Sequence, residues 1–88
     1  MNPEQARRII LKPYITEKTF AMIENERKIC FITDSGASKR EIAEAVEALY
    51  RQKPTGVNTA RTLYGKKAFV QFSTTEKARD LATDIGML

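Results

Sequence analysis

The 88-residue sequence contains no histidine and only one cysteine. The missing imidazole removes the commonest general base and the commonest metal ligand of proteins. A lone cysteine permits no internal disulfide, which fits a reducing compartment. Cys30 lies in the apolar run Ile29-Cys30-Phe31-Ile32, which indicates a small buried hydrophobic residue. A Cys/His zinc site is therefore excluded, and the carboxylates show no metal-binding cluster, so no cofactor is expected.

Long apolar runs are also missing. No segment approaches the roughly 20 apolar residues that a transmembrane helix needs. The first eight residues lack the apolar stretch of a secretory signal. The sequence therefore predicts a soluble, cytoplasmic protein without direct membrane insertion, folded as a single domain over residues 1–88.

Signatures of catalysis are absent too. The sequence contains neither a G-x-x-x-x-G-K-[ST] phosphate loop nor a G-x-G-x-x-G turn. A nucleophilic Ser, Thr or Cys would have no imidazole to activate it. Glu41, Glu44 and Glu47 follow one another at i, i+3, i+6 spacing, which is the pattern of a solvated helix face as well as of a carboxylate cluster. The sequence therefore predicts a protein that is not an enzyme.

The charge is unevenly distributed. Fifteen Lys and Arg against eleven Asp and Glu give a net charge of +4. Between Glu47 and Glu76 there is no acid, and the basic residues there are Arg51, Lys53, Arg61, Lys66 and Lys67. Such a stretch suits a phosphate backbone, and it is equally an ordinary solvated surface. A further interpretation assigns Arg51 and Lys53 to the C-terminal end of a helix, where they would offset its dipole.

Hydrophobic periodicity and capping residues predict the element order β-α-β-α-β-β-α. Residues 1–8 are interpreted as an arm with a weak helical tendency. Strands are expected over residues 9–12, 28–33, 57–64 and 67–72. Helices are expected to start at Thr16, with Phe20 and Ile23 as its apolar stripe, at Ser38 with Glu41 as a capping box, and at Thr74 or Thr75.

Four strands and three helices in so short a chain predict an α+β fold. Its expected form is a two-layer sandwich, with a four-stranded, mainly antiparallel sheet covered by helices on one face. The other face is then free for a partner. The third strand alternates, with Val57, Thr59, Arg61 and Leu63 on one side and Asn58, Ala60, Thr62 and Tyr64 on the other. Tyr50 is expected in the core.

Four segments resemble motifs of one known family. Leu11 to Lys18, with the sequence LKPYITEK, resembles the opening of large ribosomal subunit protein twenty-three. Residues 37–42 (ASKREI), residues 57–59 (VNT) and residues 66–70 (KKAFV) resemble its second helix start, third strand and return strand. The segments occur in the family's order over residues 9–86. The resemblance implies an rRNA-binding protein near the exit of the nascent-chain tunnel, with neighbouring ribosomal proteins as partners.

The resemblance also implies a docking platform for signal recognition particle, nascent-chain chaperones or the translocon. Glu17 matches the glutamate of the family's TEK motif, which in bacterial members docks such factors. Glu17 could equally stabilise its own helix dipole. Bacterial members carry a long basic hairpin, whereas here only Tyr64, Gly65, Lys66 and Lys67 lie between Leu63 and Ala68. The short turn, and the lack of a long basic N-terminal extension, resemble archaeal members.

The predicted RNA-binding residues combine this resemblance with the charge pattern. Phosphate contacts are expected from Lys12, Lys18, Lys39, Arg61, Lys66 and Lys67, and Arg7 and Arg8 are candidates to extend the surface. Asn58, Thr59, Thr62 and Tyr64 are expected to complete the surface by hydrogen bonding and stacking. The alternative is a free-standing interaction or regulatory domain that dimerises through its open sheet. Arg61 is expected on that face, where it would oppose dimerisation because like charges would meet across the two-fold axis.

Overall fold

The computed structural model describes residues 1–63 and 65–86, and within them the chain forms four helices and four strands. The helices are α1 (Pro3–Ile9), α2 (Glu17–Glu26), α3 (Lys39–Tyr50) and α4 (Thr75–Asp84). The strands are β1 (Ile10–Pro13), β2 (Lys28–Thr33), β3 (Gly56–Thr62) and β4 (Gly65–Gln71). The predicted α+β class is confirmed. None of the described helices combines the length and the apolar content that crossing a membrane requires.

The four strands form one sheet in the spatial order β1-β2-β4-β3, and all three pairings are antiparallel. The sheet is therefore fully antiparallel, as the prediction of a mainly antiparallel sheet anticipated. In the register of the central strands, Cys30 lies opposite Phe69, and Phe69 lies opposite Asn58. β1 pairs with the outer edge of β2 and carries an irregularity in register between Ile10 and Lys12.

The hydrophobic core lies between the sheet and the helices. β2 and β4 supply the fully buried Ile29, Phe31, Ala68 and Val70, and Phe72 extends the row. Each helix adds buried residues to the same cluster: Ala6, Ile23, Ile42, Ala45, Val46, Ala78, Leu81 and Ala82. Each large apolar side chain buried in this way stabilises the fold by about 1.5–3 kcal/mol. The ring of Tyr50 packs on this core and stacks with Phe31 at a centroid distance of 6.1 Å, as predicted for Tyr50.

The prediction of an arm with a weak helical tendency over residues 1–8 is wrong about the arm, because residues Pro3–Ile9 form a capped helix, α1. The Oδ1 atom of Asn2 accepts a hydrogen bond from the Gln5 N–H at 2.8 Å, and the Gln5 side chain accepts one from the Asn2 N–H at 3.3 Å. Pro3 stands in the first turn, where its missing N–H costs nothing. The helix buries only Ala6 and therefore lacks the apolar periodicity by which the other helices are predicted.

The predicted starts of the other helices are confirmed. Thr16, Ser38 and Thr74 each accept a hydrogen bond from the backbone N–H three residues later. At α3, the Glu41 carboxylate accepts a hydrogen bond from the Ser38 N–H at 2.9 Å. That backbone hydrogen bond, together with the Ser38 hydroxyl, lowers the pKa of Glu41.

The apolar stripe predicted for α2 is only half correct. Ile23 is buried, but Phe20 is 40% exposed. The buried partner of Ile23 on the same helix is Thr19, four residues before it. The Thr19 hydroxyl donates a hydrogen bond to the carbonyl of Tyr14 at 2.9 Å, which satisfies its polar group inside the fold.

The β3–β4 hairpin is tighter than predicted. β3 ends at Thr62 and β4 begins at Gly65, and these two residues pair directly. Gly65 has φ = +116°, a conformation that residues with a Cβ rarely adopt. Lys67 lies in β4 as predicted, and the strand begins two residues earlier than expected, so that Gly65 and Lys66 belong to it as well. The role predicted for Tyr64 falls outside the described residues.

Candidate nucleic-acid interface

The sheet leaves one face without helices, which we call the open face. Directly paired residues in antiparallel strands project to the same side of a sheet, so the register identifies this face. From β1 and β2 it comprises Lys12, Lys28, Cys30 and Ile32, and from β4 and β3 it comprises Lys67, Phe69, Gln71, Asn58 and Ala60. Three cations, one aromatic ring and two side-chain amides therefore share one surface.

The acidic residues lie elsewhere. Ten of the eleven Asp and Glu residues belong to the four helices, and the eleventh, Asp34, lies in the loop after β2. None lies in a strand. The acid closest to the open face in the described contacts is Glu26 at the end of α2, whose carboxylate is 3.4 Å from the Lys28 ammonium. The sheet side of the molecule is therefore basic, and the acidic charge is carried by the helices.

Lys67 and Tyr14 form the best-defined contact at this face. The Lys67 ammonium lies 4.0 Å from the centroid of the Tyr14 ring. Tyr14 is held by its backbone N–H, which donates to the carbonyl of Cys30 at 2.9 Å. A cation above an aromatic face is attracted by the ring quadrupole, and such a contact contributes about 0.5–1 kcal/mol at exposed sites. Tyr14 was not among the predicted site residues, because its place beside Lys67 depends on the β1–β2–β4 pairing.

The single thiol lies below the same surface. Cys30 is 1% exposed, and this confirms the prediction that it is a buried small hydrophobic residue. Burial raises the pKa of its thiol to about 11, and the charge of Lys67 opposes that rise. Because a nucleophile or metal ligand must be a thiolate, Cys30 is inert at neutral pH. Within the described part of the chain, no group of three or more His, Cys, Asp or Glu residues could hold a metal ion.

Two of the predicted phosphate ligands lie on the other side of the sheet. Arg61 pairs with Lys66, and Lys66 pairs with Thr33, whose side chain is buried on the helix side. The placement of Arg61 on the open face was therefore wrong. The reason is that Val57 packs into the core, and Arg61 shares its face by strand alternation.

Lys66 has a structural partner. Its ammonium donates a hydrogen bond of 2.7 Å to the carbonyl of Ala37, in the loop that leads into α3. The Thr33 hydroxyl donates to the Lys66 carbonyl at 3.1 Å and fixes the same segment. Lys66 and Lys67 are neighbours in sequence, but they serve opposite sides of the sheet.

The remaining predicted residues are divided between these two sides. Asn58 is exposed on the open face, and Thr62 lies on the same face, with its hydroxyl donating to the Gly65 carbonyl at 2.9 Å. Thr59 pairs with Ala68 on the helix side and is half-buried. Lys39 opens α3, and Arg7 and Arg8 lie in the last turn of α1; all three are exposed. The structure therefore does not bring the predicted RNA-binding residues into one surface.

Glu17 and Lys18 belong to the first turn of α2. Glu17 is exposed and directly follows the N-cap Thr16. Its negative charge therefore interacts favourably with the positive end of the helix dipole. Lys18 is exposed at the border between α2 and the open face. These positions are compatible with both roles considered for Glu17.

A cavity of about 260 Å³ lies between α2 and the open face, and we call it the α2 pocket. Three of its lining residues come from the helix, namely Lys18, Met22 and Glu26. The other three, Lys28, Asn58 and Phe69, come from three different strands. Lys28 and Phe69 were not predicted as site residues, although the alternation of β2 and β4 would have placed them on one face once the hairpin register was known.

Comparison with known proteins identifies similar chains. The family model for ribosomal protein L23 matches residues 8–83. The large ribosomal subunit protein uL23 of Pyrobaculum aerophilum is 43% identical over 81 residues, which cover 91% of this chain and all of the relative. The proteins of the same name from Methanobrevibacter smithii and Methanosphaera stadtmanae are each 40% identical over 80 residues, covering 90% of this chain and 93% of each relative.

Proposed function

We infer, because the chain belongs to the ribosomal protein L23 family, that it is a structural, non-enzymatic constituent of the large ribosomal subunit. Its partners are then large-subunit rRNA and neighbouring ribosomal proteins, and its place in the cell is the cytoplasmic ribosome. The similar archaeal chains match nearly the full length of this one, which supports the same role for the whole domain.

We propose that the open face is the main rRNA-binding surface. The observation that carries this proposal is the separation of charge: Lys12, Lys28 and Lys67 share a face whose strands contain no acid. Each lysine that approaches a phosphate releases condensed counterions, which favours binding at low salt. Tyr14 and Phe69 add aromatic rings to the same face, and unpaired bases stack on such rings.

The second basic group, Arg61, Lys66 and Lys39, lies towards the helix side of the sheet and the start of α3. We assign it a supporting role, because the Lys66 ammonium is already bound to the carbonyl of Ala37. Arg61 and Lys39 have no ion pair among residues 1–63 and 65–86, so both can contact a phosphate at the rim.

A location near the exit of the nascent-chain tunnel, with docking of signal recognition particle, chaperones or the translocon, is the finer part of the proposal. Its support is the family membership together with the exposed position of Glu17 beside the exposed Ile15 and Phe20. Exposed apolar side chains that are bordered by polar residues are typical of protein-binding surfaces.

The rRNA proposal is tested with two triple variants of equal charge change. Replacing Lys12, Lys28 and Lys67 by Gln should weaken binding to transcribed large-subunit rRNA and reduce the slope of log affinity against log salt by about 2–3. The matched control replaces Arg51, Lys53 and Lys77, which are exposed outside the open face, and should change both quantities much less. Equal losses in the two variants would contradict the assignment of the open face.

Dimerisation through the open face is opposed by the same three lysines. In a two-fold dimer, Lys12, Lys28 and Lys67 of one copy would meet those of the other across a surface without carboxylates in its strands. Charge repulsion across the two-fold axis therefore comes from these lysines and not from Arg61. Sedimentation at micromolar concentration without RNA should show a monomer, and a dimer would restore the alternative.

A further inference from the structure

We propose that the α2 pocket holds one unpaired nucleotide of the rRNA, with its base inserted between α2 and the sheet. This inference rests on the proposed function, because it assumes that rRNA covers the open face. The pocket would be a binding site for one base within a surface whose other proposed contacts are mainly electrostatic.

The size of the pocket favours a single base. Sites for drug-sized ligands usually have volumes of roughly 300–1,000 Å³. The α2 pocket, at about 260 Å³, lies just below that range and is open at the surface. A planar, unpaired base can enter such a cleft while its ribose and phosphate stay outside. A base that is paired and stacked within an RNA helix cannot enter, because its partner and its stacked neighbours would have to enter with it.

The lining of the pocket supplies an apolar contact for the faces of a base. Phe69 is half-buried on β4, and Met22 is half-buried on the facing side of α2. Aromatic rings stack on bases regardless of sequence, and the thioether of methionine adapts to flat aromatic groups. The two side chains come from different elements, so a base between them would be contacted from the helix and from the sheet.

The polar groups of the pocket match the edge of a base. Asn58 is exposed, and its side-chain amide has no hydrogen-bond partner in residues 1–63 and 65–86, so it can donate and accept. The Glu26 carboxylate accepts hydrogen bonds, which suits the exocyclic amino group of adenine, cytosine or guanine. Glu26 is held near the sheet by Lys28, with 3.4 Å between the ammonium and the carboxylate oxygen.

The charge at the rim matches the phosphate. Lys18 and Lys28 come from α2 and β2, on different walls of the pocket. Lys18 is exposed and forms no ion pair with a described residue. A nucleotide can therefore place its base against Phe69 and its phosphate against Lys18. A purely apolar peptide side chain would contact Phe69 but would leave Lys18 without an anionic partner.

The experiment compares base reactivity in rRNA bound by the full chain and by matched variants. Phe69→Leu keeps an apolar side chain of similar volume and removes the stacking ring, so the fold should persist. Phe20→Leu is the control, because it makes the same change at an exposed position of α2 outside the pocket. Transcribed large-subunit rRNA is probed with dimethyl sulfate for adenine and cytosine and with kethoxal for guanine.

The expected result is one unpaired base that is protected by the parent protein and by Phe20→Leu but becomes reactive with Phe69→Leu. The affinity for rRNA should fall about tenfold with Phe69→Leu, within the range known for stacking contacts. Asn58→Ala provides a second variant at an exposed position, and it should expose the same base.

Other outcomes separate the two proposals. If both folded variants leave every reactivity as in the parent complex, the pocket does not hold a base, while the rRNA-binding function stands. If the parent protects no part of the rRNA, the proposed function fails, and this inference fails with it. If the variants instead weaken only a contact with a neighbouring ribosomal protein in assembled subunits, the occupant is a protein segment and the nucleotide is excluded.

Discussion

The guanidinium of Arg79 on α4 binds the carboxylate of Glu24 on α2 through two parallel hydrogen bonds. They join Nε to Oε1 and Nη2 to Oε2, and each is 2.6 Å long. The two residues are 55 positions apart in sequence, so this pair ties the C-terminal helix to the first long helix. Bidentate geometry of this kind is the most directional form of an ion pair.

This pair should make stability depend on acidity. The hydrogen bond from Arg79 is the main cause that lowers the pKa of Glu24 below its ordinary 4.5. The carboxylate therefore stabilises the folded chain above the ordinary pKa, and that contribution is lost as the pH falls through the lowered value. Glu24→Gln should reduce the loss of unfolding free energy on acidification, measured by urea unfolding at a series of pH values.

The control for this effect is the background in which Arg79 is replaced by Gln. There, Glu24→Gln should change the acid dependence far less than it does in the parent chain. An unchanged effect of Glu24→Gln in the two backgrounds would show that the ion pair is not its source.

Cys30 should be protected from alkylation by the native fold. With a pKa of about 11, only about one thiol in a thousand is ionised at pH 8, and the side chain is also buried. Labelling with iodoacetamide should therefore be slow in buffer and fast in denaturing urea, as followed by mass spectrometry. Rapid labelling in buffer, at the rate of a free thiol, would contradict the placement of Cys30.

Lys66 and Lys67 should respond differently to the same substitution. Lys66→Met removes the bond to the Ala37 carbonyl and should lower the free energy of unfolding by about 1 kcal/mol. Lys67→Met should have the larger effect on rRNA affinity, because Lys67 lies on the open face. Urea unfolding and filter binding of the two variants, each the control of the other, measure the difference. If the two variants had equal free energies of unfolding and equal rRNA affinities, Lys66 and Lys67 would not have the separate roles that their opposite faces of the sheet indicate.

Arg51 should be replaceable by glycine with a gain in stability. It caps the C-terminal end of α3 with φ = +59°, in the left-handed region. That conformation costs an L-residue about 1–2 kcal/mol, and the larger conformational entropy of glycine in the unfolded chain offsets part of the relief. Arg51→Gly should therefore raise the free energy of unfolding by about 0.5 kcal/mol in urea titrations.

Arg27 provides the comparison for that variant. It ends α2 in the same conformation, with φ = +57°, but its guanidinium also donates to the Ser73 carbonyl at 3.2 Å. Arg27→Gly loses this contact and should gain less than Arg51→Gly. A destabilisation by Arg51→Gly would mean that its side chain has a role that the fold does not show.

The sequence predicts the elements with strong local signals. β2 has the predicted bounds, and α3 follows the predicted N-cap Ser38 with its capping box and buries Ile42, Ala45 and Val46. α1 was missed because its single buried residue, Ala6, produces no periodicity. Phe20 was misplaced because polar Thr19 takes the core position through a hydrogen bond to the Tyr14 carbonyl, which apolar spacing does not reveal.

The candidate site was harder to predict than the fold. Strand alternation correctly separates Asn58 from Arg61, but the side that faces the helices follows only from packing of Val57. The contacts of Lys67 with Tyr14, and of Phe69 with the α2 pocket, join segments far apart in the chain. Such contacts depend on the pairing of β2 with β4, and local sequence patterns do not specify that pairing.

The strand order β1-β2-β4-β3 has a consequence for synthesis of the chain. The two central strands, β2 and β4, are separated in sequence by α3 and β3. β2 therefore cannot pair with β4 until α3, β3 and β4 have all been synthesised. The β3–β4 hairpin can form locally, whereas the pairing of Lys28 with Gln71 closes the longest loop of the sheet. A growing chain therefore cannot complete its sheet until residue 71 has been synthesised and is free to pair with β2.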